Sequence, residues 1–179
     1  LNLINEKKCK KVLFAGRINK PKISNIKLDL KGIYYIPRII KASKFGDAAI
    51  LKELIKILSE NKIKVIKSNF FNPELTLTKG NFSKIKPNKF DLSNIKKGLK
   101  FLNKLNAHDH VQGLIIRNNS IIAKETSKGT KKMLLSINKS KNNHGILIKI
   151  PKRKQDLRAD LPTIGIDTFK DCKRANIKG

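Results

Sequence analysis

No stretch of this chain stays apolar for the roughly 20 residues that a membrane-spanning helix needs, so none of its 179 residues builds one. Tryptophan is absent and aromatic residues make up only 6% of the chain, which leaves little material for the stacking platforms that hold single-stranded nucleic acid. The two cysteines, Cys9 and Cys172, lie far apart and lack metal-ligand spacing; reduced thiols in a cytosolic chain are the simplest account of them. The full P-loop pattern, the GxSxG elbow and the HExxH helix are all missing, which argues against P-loop nucleotide hydrolysis, an α/β-hydrolase triad and a zincin centre. No signal peptide and no internal repeat is visible.

Acidic residues are scarce as well. Thirteen Asp and Glu face 41 Lys and Arg, a net charge of +28. Arginine, however, is rarer still than acid: Arg17, Arg38, Arg117, Arg153, Arg158 and Arg174 are the whole supply. Proteins that grip phosphate through planar geometry enrich arginine. Here the charge is lysine, spread along the chain among many Ile and Asn residues, as an AT-rich coding sequence would give. No specific nucleic-acid partner is therefore expected, although so positive a field attracts anionic surfaces, including the cytoplasmic face of a membrane. The chain starts at Leu1, has its one methionine at Met133 and stops at Gly179 just after a helical pattern; it reads as a fragment of a longer protein.

The pattern of what remains is α/β. Lys11 to Gly16 reads as a short buried strand leading into a polar loop, Arg17 to Pro21, and Ile33 to Lys44 as a helix after Gly32 with Pro37 near its first turn. Asp47 opens an amphipathic helix with Ile50, Leu51, Leu54, Ile55 and Leu58 on one face and Asn61 at its end, followed by a strand over Ile63 to Ile66. Pro73, Gly80 and Pro87 interrupt any periodicity between Asn72 and Lys89, which sets a domain boundary there. Asp91 is expected to cap a helix carrying Leu92, Ile95, Leu99 and Leu102. Gly113 to Arg117 and Ser120 to Lys124 form a hairpin around Asn118-Asn119, Thr130 to Asn138 a helix, Gly145 to Ile150 a strand, and Thr168 to Ala175 a last helix capped by Asp167. Two small α/β domains follow: residues 1–80, the remainder of a truncated Rossmann-like domain, and residues 81–179, a mixed sheet with flanking helices.

Chemistry concentrates near the end of the chain. In Gln155-Asp156-Leu157-Arg158-Ala159-Asp160-Leu161-Pro162-Thr163-Ile164-Gly165, two acids and an arginine alternate. In extended backbone Asp156, Arg158 and Asp160 would share one face. Such a set can hold a divalent cation through carboxylate oxygens and orient a phosphate through the guanidinium, or one acid can serve as general base; the plainer alternative is a salt-bridged strand end. In Glu125-Thr126-Ser127-Lys128-Gly129-Thr130, Gly129 lets backbone amides approach an anion, the alternative being an ordinary capped loop. His108-Asp109-His110 is too short a pattern to define a metal site.

Four segments together resemble the UDP-2,3-diacylglucosamine pyrophosphatases of lipid A biosynthesis, in the form unrelated to the metallophosphoesterases. Ala15-Gly16 through Pro21 is similar to an AG-x-x-x-x-P turn, and Gly46-Asp47-Ala48-Ala49-Ile50-Leu51 to a GDDALL helix start. Glu125 through Met133 is similar to EAxEGTDxML, and Lys152 through Gly165 to KPxQDxRxDLPTIG. The resemblance implies two α/β domains with substrate in a crevice between them, and hydrolysis of UDP-2,3-diacylglucosamine to UMP and lipid X. It also implies Mg²⁺ or Mn²⁺ as cofactor and a cytoplasmic location, peripheral at the inner membrane surface. A homodimer is kept as an option. Asp160, Asp156 and Arg158 would be catalytic, with Asp160 the first choice, and Asp160, Asp156 and Glu125 would hold the metal. Gln155, Gly129, Thr130, Lys152, Thr163, Gly16, Asp47 and Gln112 would bind substrate, with Asp109 beside Gln112 matching DxGQ. Lys128 and Lys131 replace two acids of the EGTD pattern, Ala48 replaces an aspartate, Val111 a glycine and Arg153 a proline. A catalytically degenerate homologue that binds the acylated sugar phosphate, and a basic module for RNA or anionic lipid, are the alternatives.

Overall fold

A computed structural model describes residues 1–16, 27–105, 111–138, 140, 143–151 and 155–179. The polar loop expected over Arg17 to Pro21 and the His108-Asp109-His110 pattern lie outside the described residues. The fold is α/β and divides into two compact units, one of residues 1–78 with 155–161 and the other of residues 79–154 with 162–179.

In the first unit, a short helix α1 (Asn2–Glu6) precedes strand β1 (Lys11–Leu13); helices α2 (Leu30–Ser43) and α3 (Asp47–Glu60) form a hairpin; and strand β2 (Lys64–Ile66) returns parallel to β1, pairing Val12 with Val65. Helix α2 begins three residues before the sequence suggested, because Asp29 accepts the amide of Gly32 at 2.7 Å and so caps an earlier first turn. Ile55, Leu58, Ile63 and Val65 are the core of this unit, with Ile4, Val12, Leu51 and Ala159 packed around them. The i, i+3, i+4 spacing of Leu51, Ile55 and Leu58 turns one face of α3 inward. A stripe beside that face, Lys52 and Lys56, is left exposed.

The second unit is a three-stranded sheet with helices on both faces. Its strands are β3 (Gly113–Arg117), β4 (Ser120–Lys124) and β5 (Ile146–Lys149), in the order β4-β3-β5. The expected mixed sheet is antiparallel among these strands; its parallel element is a single bridge from Gly145 to Ile177. Asn118 and Asn119 both adopt positive φ, 50° and 55°, the conformation a tight β3–β4 hairpin requires and one that asparagine tolerates. Helix α4 (Lys89–Lys104) covers one face, packing Leu102 with Leu114, Ile116, Ile146 and Ile148. Helices α5 (Gly129–Leu135) and α6 (Ile166–Arg174) flank the other, where Ile115 meets Met133, Leu134 and Ala175. Strand β3 is thus covered on both faces, and its Leu-Ile-Ile run reads as a continuous apolar stretch for that reason.

Two helix caps differ from the expected ones. Asn88, not Asp91, caps α4: its side chain accepts the Asp91 amide at 2.8 Å while the Asp91 carboxylate accepts the Asn88 amide at 3.0 Å, a reciprocal box that only position N3 can complete. Helix α6 starts at Ile166 after Gly165, which puts Asp167 in the first turn, where its charge suits the helix dipole. Leu114→Ala, at a fully buried central position, should destabilise this unit by about 2–5 kcal/mol in urea unfolding.

Candidate functional site

The Gln155–Leu161 segment belongs to the first unit. It is a turn and not the extended strand that alternation suggested. The amides of Ala159 and Asp160 both donate to the carbonyl of Asp156, at 3.1 and 3.0 Å. Asp156 drives this local choice, since its Oδ1 accepts the amide of Arg158 at 3.0 Å, a side-chain-to-backbone bond that competes with extended pairing. The guanidinium of Arg158 then folds back on the same carboxylate, Nε to Oδ1 at 3.0 Å and Nη2 to Oδ2 at 2.7 Å. Two anchors hold the turn: Ser68 donates its amide to the Arg158 carbonyl at 2.8 Å, and Ala159 packs on the first core. The side-chain amide of Gln155 donates to the Asp160 carbonyl at 3.1 Å, and Asp160 itself is half-buried.

The turn closes one side of a cavity of about 750 Å³, within the ordinary size range of small-ligand sites. Helices α2 and α3 supply the other walls. Arg38, Lys41, Lys52, Lys56 and Arg158 line it against two acids, Glu53 and Asp156. Phe45, Ala49 and Ile55 add an apolar surface. The arginines are committed: Arg38 donates to Glu53 at 2.6 Å and forks onto Glu60 at 2.7 and 2.9 Å, and Arg158 forks onto Asp156. Glu60 and Glu53 hold the Arg38 guanidinium above its ordinary range, and Arg38 holds Glu60 below the usual carboxylate range. The Arg158 hydrogen bonds, with Lys52 adding its field, hold Asp156 below that range against the opposing effect of burial.

A second cluster forms in the other unit. Glu125, just past β4, is buried; Thr130 Oγ1 donates to its Oε1 at 2.6 Å, and Lys149 on β5 stands 3.6 Å from that oxygen and donates to the Thr130 hydroxyl. Among the described residues Glu125 Oε2 has no hydrogen-bond partner, and a Cβ at Gly113 would come within 3.0 Å of it. Gly129 takes φ +80° at the start of α5, a left-handed conformation that glycine adopts without strain, and so places Thr130 over Glu125.

The sequence-selected residues therefore divide. Asp156, Arg158, Asp160 and Gln155 share one turn; Glu125, Gly129 and Thr130 share one network. Gln112 accepts the Ile150 amide through its carbonyl, Thr163 is exposed, Gly16 follows β1 with φ +85°, and exposed Asp47 is the first residue of α3. Lys152, Asp109 and Arg153 lie outside the described residues. No sequence signal marks Lys149, because a lysine ending an apolar strand looks like a strand boundary, and none marks Lys41, Lys52 and Lys56, because lysine is everywhere in this chain. Among the described residues no three of His, Cys, Asp and Glu gather as a metal site. Both oxygens of Asp156 are taken by Arg158, and Glu125 sits beside an ammonium group. Taken within each unit, neither cluster forms a complete ligand set for the divalent cation implied by the resemblance.

These features define a two-unit α/β protein with an acid–arginine turn set in a basic cavity. Residues 1–75 match the LpxI N-terminal domain and residues 78–179 the LpxI C-terminal domain, and the chain belongs to the LpxI family. It is 28% identical over 179 residues to the UDP-2,3-diacylglucosamine pyrophosphatase LpxI of Caulobacter vibrioides, a match covering 96% of this chain. The chain spans 64% of that relative's length.

Two measurements probe these clusters. The folded-state pKa of Asp156 is depressed, so its ionisation stabilises the fold above the ordinary carboxylate range near pH ~4, and that contribution is lost as pH falls through the folded value. Arg158 is half exposed and solvent screens the pair, which limits the effect to below about 1 kcal/mol. In a carbon-13 carboxyl titration Asp156 should titrate below the free value, and Arg158→Ala should move it upward. In the second unit, Lys149→Met leaves a buried carboxylate uncompensated and should cost about 3–5 kcal/mol of stability. The Glu125→Gln/Lys149→Met double variant should recover most of it, as a double-mutant cycle by urea unfolding will show.

Proposed function

We infer that the protein hydrolyses the diphosphate of UDP-2,3-diacylglucosamine to UMP and 2,3-diacylglucosamine 1-phosphate, the lipid X step of lipid A biosynthesis. The observation that carries this reading is family membership across both parts of the chain, taken with the activity printed in the name of the Caulobacter relative. In the reaction a water oxygen adds to phosphorus, the bridging P–O bond breaks and the water gives up a proton. Asp156, with its affinity for protons lowered by Arg158, is suited to the role of a fixed anion that holds Arg158 in place and is a poor proton acceptor. Asp160, which matches the acid before the LPTIG pattern, is proposed on the strength of that resemblance as the carboxylate that serves the reacting water or a metal. Glu125, Gly129, Thr130, Gln112, Thr163, Lys152, Gly16 and Asp47 are proposed as its substrate and metal contacts on the strength of the resemblance. Dependence on Mg²⁺ or Mn²⁺ belongs to the same proposal, as does peripheral attachment to the inner membrane surface. No helix among the described residues is long and apolar enough to cross a membrane.

One observation favours a second reading. Lys128 and Lys131 are exposed where the EGTD pattern carries acids, which supports a homologue that binds the acylated sugar phosphate without turning it over. The full-length protein with UDP-2,3-diacylglucosamine and Mg²⁺ should release UMP, and stripping the metal should stop it. Asp160→Asn should lower kcat at least about 100-fold with unchanged circular dichroism. Undiminished turnover in that variant removes Asp160 from the reaction, and lipid X binding without UMP release supports the second reading.

A further inference from the structure

We propose that the cavity of the first unit is a phosphate-anion site in which Lys41, Lys52 and Lys56, and not the arginines, supply the binding charge. The proposal deepens the functional reading and rests on it only for the identity of the natural ligand.

The accounting of charge carries it. Of the five cations that line the cavity, Arg38 is shared by Glu53 and Glu60 and Arg158 is paired with Asp156, so five cations face three carboxylates and positive charge is left in excess. The three lysines make no ion pair among the described residues. Lys52 and Lys56 are one turn apart on α3, and Lys41 stands on α2, which packs against it. Three ammonium groups held by two helices around one concavity repel one another unless an anion lies among them. A lysine ammonium is a compact point charge on a flexible stem, suited to phosphate oxygens without imposing a planar geometry. The arginine pairs act as struts: the Arg38 fork ties α2 to α3, and Arg158 braces the turn that faces them. Phe45 and Ala49 form an apolar shelf beside the lysines, so the ligand class is a phosphate ester with an apolar portion.

Isothermal titration of the 179-residue chain at low ionic strength, first with inorganic pyrophosphate and then with lipid X, separates bare phosphate from acylated sugar phosphate as the source of that chemistry. Saturable pyrophosphate binding is expected, with lipid X tighter. Lys52→Gln/Lys56→Gln should weaken both at least about tenfold, since a hydrogen bond to a charged group is worth that much. Lys52→Arg/Lys56→Arg should restore most of the loss, and all variants should keep the wild-type circular dichroism, because both lysines are exposed. No saturable binding by the wild type, or equal binding by the glutamine variant, overturns the site. Pyrophosphate binding that depends on these lysines, in a protein that releases no UMP from UDP-2,3-diacylglucosamine, upholds the cavity and defeats the hydrolase reading. UMP release with wild-type KM by the glutamine variant does the reverse.

Discussion

The fork of Arg158 on Asp156 is the constraint around which the first unit's site is arranged. A carboxylate that accepts the backbone amide two residues on and then both arms of the same residue's guanidinium cannot belong to an extended strand. It forces a turn, and the turn places Ala159 against the first core while the Arg158 carbonyl meets the amide of Ser68. The ion pair itself is partly solvated and of small energetic worth. Its value is geometric: it selects one conformation for a segment that interrupts the second unit in the chain but belongs to the first.

Charge follows the same division of labour throughout this unit. Arginine is scarce, and each arginine at the cavity is spent on holding elements together. Lysine is abundant, and the lysines of the cavity make no close ion pair among the described residues. Overall net charge conceals this, because most of the 41 basic residues are spread over the surface. A small cavity in which five cations face three carboxylates, Glu53, Glu60 and Asp156, has a positive potential that the composition alone does not predict.

The second unit relies on a different device. Its sheet is clamped between helices, and the polar side chains that enter that packing are tied by hydrogen bonds, with Glu125 Oε2 and Arg117 Nε the buried atoms left unpaired among the described residues. Glu125, Thr130 and Lys149 form a chain of donors and acceptors from three elements, with one carboxylate oxygen unsatisfied. Asn94, also buried, accepts the Asn119 amide at 2.7 Å and so ties the β3–β4 hairpin to α4. Arg117 and Arg174 donate to the carbonyls of Ala175 and Leu134, fastening the last helix to the sheet and to α5. Arginine is a strut here too.

Periodicity determined the elements. The apolar stripe of α3, the Asn118-Asn119 hairpin and the apolar runs of β3 and β5 were all legible, because burial of one face and tolerance of positive φ leave marks on nearest neighbours in the chain. Motif order was legible as well, and it led to the family. What the sequence could not state is which atoms meet across long separations. The alternation of Asp156, Arg158 and Asp160 suggested a shared face, yet a bond between Asp156 and the amide of its second neighbour made a turn. Lys149 joins Glu125 only because β5 pairs beside β3, and Lys41 approaches Lys52 and Lys56 only because α2 packs on α3. Identity and local conformation come from interactions within a few residues; the pairing of charges comes from tertiary packing, where each side chain's partner is decided by which surfaces must leave water together.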